Sequence, residues 1–473
     1  MNASRAAFFH AYRCPKAGAI TYQDALAYLF SLLEGRPPGQ PYAPVKLERM
    51  RRLVALLGHP DRAFPAVLVA GTKGKGSTAV MLAGIMEAVG LRVGLYTKPH
   101  LVDFRERMRI NGTLITPDEL IPLVAELRQA VERGQAEPGW PPTFFEASAA
   151  LALVHFARGD VDLAVVEAGI GGRLDACNVV DPLVSIITTI GYDHMEIVGA
   201  RLSQIAAEDT GVMRPQRVVV TVPQRPVAAR VIRDAAARLG AQVVQVGRHV
   251  RYRTLASTPA GLRITVRGRQ RVYTDVPVPL IGRHQALNAT AAIAAAEALA
   301  DAWPTSSTPF ALTDDAVRRA LSTLRWPARI EVVHERPTVI VDVAHNPVSF
   351  RALRAALDDV FSGRRLILVL GVIGTKDMAG IARVIAPRAA AVIATRPHDP
   401  RALAPEQVAD SVRRWVHDVR IVDDPVAAVD EALGMARPDD VVCAAGSFHV
   451  TGPVRAHLMP QDDPVLDRRT HVP

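Results

Sequence analysis

The sequence predicts an α/β protein of two domains, each on a mostly parallel sheet, the second smaller and Rossmann-like. Three observations carry this. Apolar strand-like segments alternate with helix-like ones along most of the chain. The rhythm pauses at Trp303–Leu312 (WPTSSTPFAL), which is rich in proline, serine and threonine, and then restarts. A glycine-rich turn follows the first strand, where a phosphate-binding loop would stand. A length of 473 residues suits two domains, and the pause divides the chain into 1–304 and 305–473.

In order, Thr21–Gly35 reads as a helix with Thr21 as N-cap and Asp24 three residues on, and Val45–Leu57 as a second amphipathic helix. Apolar strands follow at Ala66–Ala70, Arg92–Tyr96, Asp162–Glu167, Leu183–Thr188, Arg217–Val222 and Gln242–Val246. Helices fit between most of them, so a parallel sheet covered on both faces is expected. Arg251–Val276 changes to short alternating segments (RYRTL, LRITVRG, RVYTDV) that suit an antiparallel ribbon, and His284–Ala300 is an alanine-rich helix. Beyond the linker, strands are expected near Ile330–Val333, Thr338–Asp342, Leu366–Leu370, Ala390–Ala394, Val419–Val422 and Val441–Ala444. The polar tail Gln461–Pro473 is expected to be mobile.

Hydrophobic residues at 49% and charged residues at 22% are globular values, which excludes disorder and collagen-like structure. No apolar run reaches signal-peptide or membrane-span length, so a cytoplasmic protein without membrane contact is expected. The three cysteines, Cys14, Cys177 and Cys443, are too scattered for a disulfide framework or a thiolate zinc site. Subtracting 47 acidic from 56 basic residues leaves +9, compatible with nucleic acid, a membrane surface or small anions. Nucleic acid is not expected, because the basic residues are dispersed and eight Tyr, four Trp and twelve Phe offer little for base stacking. Of the 56 basic residues only six are lysine, namely Lys16, Lys46, Lys73, Lys75, Lys98 and Lys376, against an arginine default everywhere else.

After the strand Ala66–Ala70 the chain reads Gly71-Thr72-Lys73-Gly74-Lys75-Gly76-Ser77-Thr78 and then a helix. Glycines let main-chain N–H groups converge on phosphate oxygens, the helix N-terminus adds partial positive charge, and Lys75 neutralises terminal phosphates. Ser77 or Thr78 offers a hydroxyl to magnesium. A flexible glycine turn is the structural alternative. The loop departs from the common pattern in placing Gly76 between the lysine and the hydroxyl.

That departure resembles the loop of the folylpolyglutamate synthase and dihydrofolate synthase family, within the Mur ligase superfamily. Further motifs agree in order: Tyr96–Gly112 (YTKPHLVDFRERMRING), Glu167–Asn178 (EAGIGGRLDACN), Thr189–Glu196 (TIGYDHME), Ala206–Gly211 (AAEDTG), Leu280–Asn288 (LIGRHQALN), Trp326–Glu331 (WPARIE) and Asp342–Pro347 (DVAHNP). The resemblance spans roughly Thr21–Leu458. It implies a P-loop ATPase domain, a Rossmann-like second domain and an active site between them. It also implies ATP and Mg2+ as cofactors, and ligation of L-glutamate to a folate or dihydropteroate carboxylate through an acyl phosphate. A monomer is expected. A related amide ligase with another substrate, or a nucleotide-binding homologue that has lost catalysis, stays open at this point.

Residue by residue, the resemblance gives ATP contacts to Thr72, Lys73, Gly74, Lys75, Gly76 and Ser77, an adenine contact to Asn288, and phosphate and ribose contacts to Arg329 and Asp342. Glu167 and His194 match magnesium ligands, and Asp209 stands beside the second metal; with Lys75 these are the candidate catalytic residues. By position alone Glu167, at a strand end, is equally a helix-cap partner, and a lone histidine such as His194 is more often structural. Thr143, Leu174, Asp175 and Ala176 match contacts to the pteridine, with loop packing as the alternative and Arg173 as a rival ion-pair partner for Asp175. His345-Asn346 and Lys376-Asp377 fit the second domain's side of the cleft without an assigned role. Two residues depart from the family. Lys98 stands where a serine ligates the first magnesium, and Asp209 where a lysine is carbamylated. The expectation is a coupled rearrangement in which Asp209 supplies a permanent negative group and Lys98 brings positive charge to the phosphates.

Overall fold

The structure is a computed structural model, which describes residues 20–34, 46–135 and 140–459. The expected behaviour of the tail and the reading of the N-terminal segment, Cys14 and Lys16 included, fall outside those residues.

Eight strands form the first sheet: β1 (Ala66–Ala70), β2 (Val93–Tyr96), β3 (Met108–Ile110), β4 (Thr113–Leu114), β5 (Leu163–Glu167), β6 (Pro182–Ile187), β7 (Val218–Thr221) and β8 (Gln242–Gln245). Their order is β4-β3-β2-β5-β1-β6-β7-β8. The pairs from β2 to β8 run parallel, while β3 returns antiparallel on β2 and pairs antiparallel with β4. The sequence reading missed this edge hairpin, because MRI and TL are too short to show an alternation. Central strands β1, β5 and β6 are buried along their whole length, as a sheet covered on both faces requires. The expected antiparallel ribbon is a three-stranded sheet of β9 (Arg251–Thr258), β10 (Gly261–Arg267) and β11 (Val272–Val278).

The alanine-rich helix His284–Ala302 is buried on nearly all sides, and its small side chains let it lie close against helix Lys75–Ala88. Helix Asp314–Ser322, beyond the linker, puts Val317, Ala320 and Leu321 into that same apolar cluster.

The second sheet holds β12 (Glu331–Glu335), β13 (Thr338–Asp342), β14 (Leu366–Leu370), β15 (Ala391–Ala394), β16 (Asp418–Ile421) and β17 (Val441–Ala445), in the order β12-β13-β17-β14-β15-β16. Only β12 is antiparallel. Its two faces carry separate apolar clusters around Phe350 and Val429. Among the described residues no helix is long and apolar enough to cross a membrane.

Because β5, β1 and β6 are adjacent and parallel, the loops after all three open at one carboxyl edge, the position where such sheets gather ligands. Tight packing fixes that edge. A Cβ on Gly94 in β2 would lie 2.7 Å from the Phe156 ring. Gly94→Ala is therefore expected to lower stability by about 1–3 kcal/mol, measured by urea denaturation, without changing the fold.

Candidate functional site

The turn after β1 is shaped by glycines that no other residue can replace. Gly71 has φ 120° and Gly74 φ 92°. A Cβ would stand 2.3 Å from Thr188 Oγ1 at the first and 2.4 Å from Asn288 Oδ1 at the second. Main-chain N–H groups of Thr72 and Lys73 both donate to Thr189 O, at 2.9 and 3.0 Å, and the Thr72 hydroxyl donates to Gly191 O. The loop is thus tied to the segment after β6. Helix Lys75–Ala88 starts at Gly74 with no side-chain cap, so its first N–H groups stay available to a ligand. Lys75 Nζ folds back and donates to Gly71 O at 2.7 Å. Ser77 borders the cavity, whereas Thr78 is fully buried in the helix, so of the two hydroxyls considered Ser77 is the one presented.

A cavity of about 580 Å³ opens above this edge. Thr72, Lys73, Gly74, Lys75, Gly76, Ser77, Thr143, Glu167, Asp175, Ala176, His194, Asp209, Asn288, Arg329 and Asp342 all border it; of the expected site residues only Leu174 does not. Glu167 ends β5 with its Oε2 accepting from Lys98 N–H at 2.9 Å, and burial pushes its carboxyl up against the opposing pull of Lys75. Asp209 ends helix Leu202–Asp209, is 1% exposed, and leaves Oδ2 buried without a partner. Burial pushes it up to about 6, again opposed by Lys75. From the second sheet, Asp342 accepts from the N–H groups of Ile330 and Ala344 at 2.9 and 2.8 Å and is pushed up to about 6 by burial, with Arg329 opposing. His194 has a left-handed backbone, φ 49°, and burial lowers its pKa, so the ring is neutral and free to ligate.

Glu167, His194 and Asp209 reach one cavity from a strand end, a helix N-cap and a helix end. Among the described residues no group of three or more His, Cys, Asp or Glu is gathered closely enough to hold a metal by itself. Oxygen donors such as Glu167, Asp209 and Ser77 nevertheless suit a hard cation that keeps water and phosphate oxygens in its shell. The unpartnered Asp209 Oδ2 is the atom such an ion would satisfy.

Two expectations about side-chain partners are corrected. Lys98 does not face the phosphate loop: its Nζ lies 3.6 Å from Asp175 Oδ1 and 3.4 Å from Cys177 Sγ. Burial would lower Lys98, but Asp175 above all holds it above the usual range. A buried ammonium takes the nearest buried carboxylate, and Asp175 is that group. Arg173, the rival partner for Asp175, instead pairs with Glu208. Asp175 also accepts from Gly169 and Cys177 N–H at 2.9 and 3.0 Å, so one carboxylate organises the whole turn after β5.

Asp193 is the functional-site residue that the sequence reading passed over. Its Oδ2 accepts from Lys73 Nζ at 3.0 Å and from Asn346 Nδ2 at 2.9 Å, and Lys376 Nζ lies 3.7 Å from Oδ1. Burial would raise its carboxyl, but Lys73, His194 and Lys376 hold it well below the usual range. This carboxylate joins residues of both sheets, giving His345-Asn346 and Lys376 a common location. The available signal was lysine scarcity, since Lys73, Lys75, Lys98 and Lys376 all lie in or beside the cavity.

Residues 140–296 match the family model described as Mur ligase middle domain, and residues 328–448 match Mur ligase, glutamate ligase domain. The Bacillus subtilis dihydrofolate synthase/folylpolyglutamate synthase is 33% identical over 92% of this chain and 99% of its own length. Among solved structures, Mycobacterium tuberculosis folylpolyglutamate synthase complexed with ADP has a TM-score of 0.83 at 32% identity, covering 92% of this chain and 98% of that one. Escherichia coli FolC in complex with DHPP and ADP has a TM-score of 0.81 at 28% identity, covering 96% and 100%.

Two stability measurements follow from the geometry. Lys98→Met strands the Asp175 carboxylate and is expected to cost about 3–5 kcal/mol, most of which Asp175→Asn added to it recovers; paired with Asp209→Asn the effects add. Urea denaturation of each variant at pH 7.5 separates these outcomes. For Asp209, the folded carboxyl at about 6 against an ordinary 3.8 means that the native state holds a proton that the unfolded chain has lost between those values. Stability then falls as pH rises through that window, and the penalty, about 3 kcal/mol, is complete above it. In magnesium-free buffer, Asp209→Asn is expected to be more stable than the wild type at pH 7.5 and no different at pH 3.5.

Proposed function

Because the chain belongs to the folylpolyglutamate and dihydrofolate synthase family of Mur ligases, we infer that it is an ATP-dependent ligase joining L-glutamate to a folate-type carboxylate through an acyl phosphate. The observation that carries this reading is that one cavity is bordered by a glycine-lysine loop at a helix N-terminus, by buried carboxylates, and by Arg329 and Asp342 from the second sheet.

A carboxylate is a poor electrophile, and ATP supplies the phosphoryl group that turns it into a mixed anhydride with a good leaving group. The chain's own part is to gather several anions and hold them in line. Thr72, Lys73, Gly74, Lys75, Gly76 and Ser77 cradle the phosphates, with Lys75 leaving Gly71 O for a phosphate oxygen. Asn288, beside Gly74, is assigned to adenine, and Arg329 and Asp342 to the phosphates and ribose. Glu167, His194 and Asp209 are the residues assigned to magnesium, which when bound offsets the charge gathering on the phosphates. Thr143, Asp175 and Ala176 are assigned to the pteridine; Leu174 is left out because it does not reach the wall. With two sheets contributing to one nucleotide, the lobes must close to complete the site and exclude water.

The division between lobes is placed at residues 325–330, later than the expected 304/305, because the helix Asp314–Ser322 shares the first lobe's core. A cytoplasmic monomer belongs to the same reading. The test is ADP release with L-glutamate and ATP, offering dihydropteroate and tetrahydrofolate separately; no release with either acceptor defeats it. Lys75→Ala is expected to lower turnover more than about a hundredfold while keeping the native circular dichroism spectrum, because this side chain acts on phosphate charge; thermal unfolding without ligand shifts down modestly, since Glu167 and Asp209 lose the charge that opposes their burial.

A further inference from the structure

Arg329 lies on a hook of backbone that the fold holds under strain. Ala328 and Ile330, on either side of it, have φ 55° and 52°. That is a left-handed conformation that a β-branched residue such as isoleucine rarely adopts. Three contacts hold it. Ile330 N–H donates to Asp342 Oδ2 at 2.9 Å, and Ala328 N–H to Glu331 Oε2 at 2.7 Å. Glu331 is clamped in turn by Arg455 Nε and Nη2 at 2.8 and 3.0 Å. Among the described residues the guanidinium itself hydrogen-bonds only to main-chain carbonyls of its own segment, Pro327 O at 3.4 Å and Ala328 O at 3.2 Å. Its direction is set by aromatic rings: Cζ lies 5.4 Å from the Trp326 centroid and 5.6 Å from that of Phe448.

Trp326 touches the phosphate loop as well. A Cβ on Gly76 would lie 3.0 Å from Trp326 Cζ2 and 3.3 Å from Glu167 Oε2. This contact is a physical reason for the glycine between Lys75 and the hydroxyl: the first turn of the helix must leave room for an indole arriving from the inter-lobe segment. Arg109, from β3, lies over the same ring at 5.9 Å. The indole Nε1 is buried without an acceptor, so the present seat of the ring leaves a donor unsatisfied.

We propose that Trp326 is a positioning residue that couples occupancy of the phosphate loop to the placement of Arg329. The inference rests on the reading that Arg329 reaches the nucleotide from the second lobe. A ligand seated on the loop adjusts the backbone at Gly76, the indole moves with it, and the guanidinium that lies over the indole is carried toward the phosphates.

The test uses the full chain labelled with 5-fluorotryptophan, whose four tryptophans, Trp140, Trp303, Trp326 and Trp415, give separate fluorine resonances. Trp326 is assigned by the signal lost in Trp326→Phe. On titration with a non-hydrolysable ATP analogue, the Trp326 resonance is expected to shift with the same saturation as calorimetric binding. Trp326→Leu is expected to weaken analogue binding about five- to tenfold, the scale of one cation–π contact, while Trp326→Phe keeps it within about twofold. Trp326→Leu combined with Arg329→Ala should lose no more than Arg329→Ala alone. A Trp326 resonance that stays fixed at full saturation overturns the coupling, as do additive losses between stably folded variants. Wild-type protein that binds no analogue by calorimetry overturns the nucleotide reading itself, and this inference with it.

Discussion

Burying like charges around one cavity is the constraint on which the rest of this structure depends. Burial pushes Glu167, Asp209 and Asp342 all upward, and Lys75 and Arg329 are what oppose that rise. Such groups act strongly on a ligand because water is excluded, and they are tolerable only if the backbone around them cannot relax away. Fully buried parallel strands meet that demand. They need apolar side chains on both faces, which the valine- and alanine-rich β1, β5 and β13 provide. They also need close approach at the ends, and that explains the glycines at 71, 74 and 76. Each stands where a Cβ would strike a residue of another element: Thr188, Asn288 and Trp326.

Much of this was legible in the sequence because buried parallel strands announce themselves as short apolar runs, and because a glycine-lysine loop between a strand and a helix has few other uses. Strand β1 was readable to the residue, and the helix after it in kind though not in its bounds. The hairpin β3–β4 was not: its five residues carry no period. At the site, nearly every residue that motif order picked out lies on the cavity wall, but motifs say nothing about where a long side chain turns. Lys98 could be placed in the cavity from sequence, but not aimed at Asp175. Asp193 was invisible for a related reason, since its importance lies in partners from distant segments, Lys73, Asn346 and Lys376.

Lysine scarcity deserves a physical reading of its own. In a chain that otherwise uses arginine, Lys73, Lys75, Lys98 and Lys376 all lie around one cavity. An ammonium is a compact charge on a flexible stem that can exchange one oxygen partner for another, whereas a guanidinium is a planar fork suited to fixed pairs. Lys75 on Gly71 O and Lys73 on Asp193 hold partners that an incoming phosphate can replace. Lys98 is different: it is paired with Asp175 and Cys177 in the turn after β5. The two departures from the family pattern thus have different partners in the structure. One stabilises the turn after β5, and the other leaves an acidic oxygen unpartnered beside the phosphate loop.

Each lobe has its own apolar clusters, so closure of the cleft need not disturb either core. They meet through the Asp193 contacts to Lys73, Asn346 and Lys376 and through the short segment after Leu324 that joins them covalently. A relaxed linker there would let Arg329 wander through many orientations, each costing entropy to fix when ligand arrives. A left-handed backbone at Ala328 and Ile330, over-determined by Asp342 and by the Glu331–Arg455 pair, removes that freedom before any ligand binds. Strain of this kind costs about 1–3 kcal/mol per residue and persists only where surrounding contacts enforce it. Here they enforce it at the one stretch of chain that touches the phosphate loop through Trp326 and the second sheet through Ile330. The backbone of the linker is therefore stiff at Ala328–Ile330, which leaves the side chains of Trp326 and Arg329 as the parts that move there, while the freedom the lobes need to open and close has to come from the contacts on either side of it.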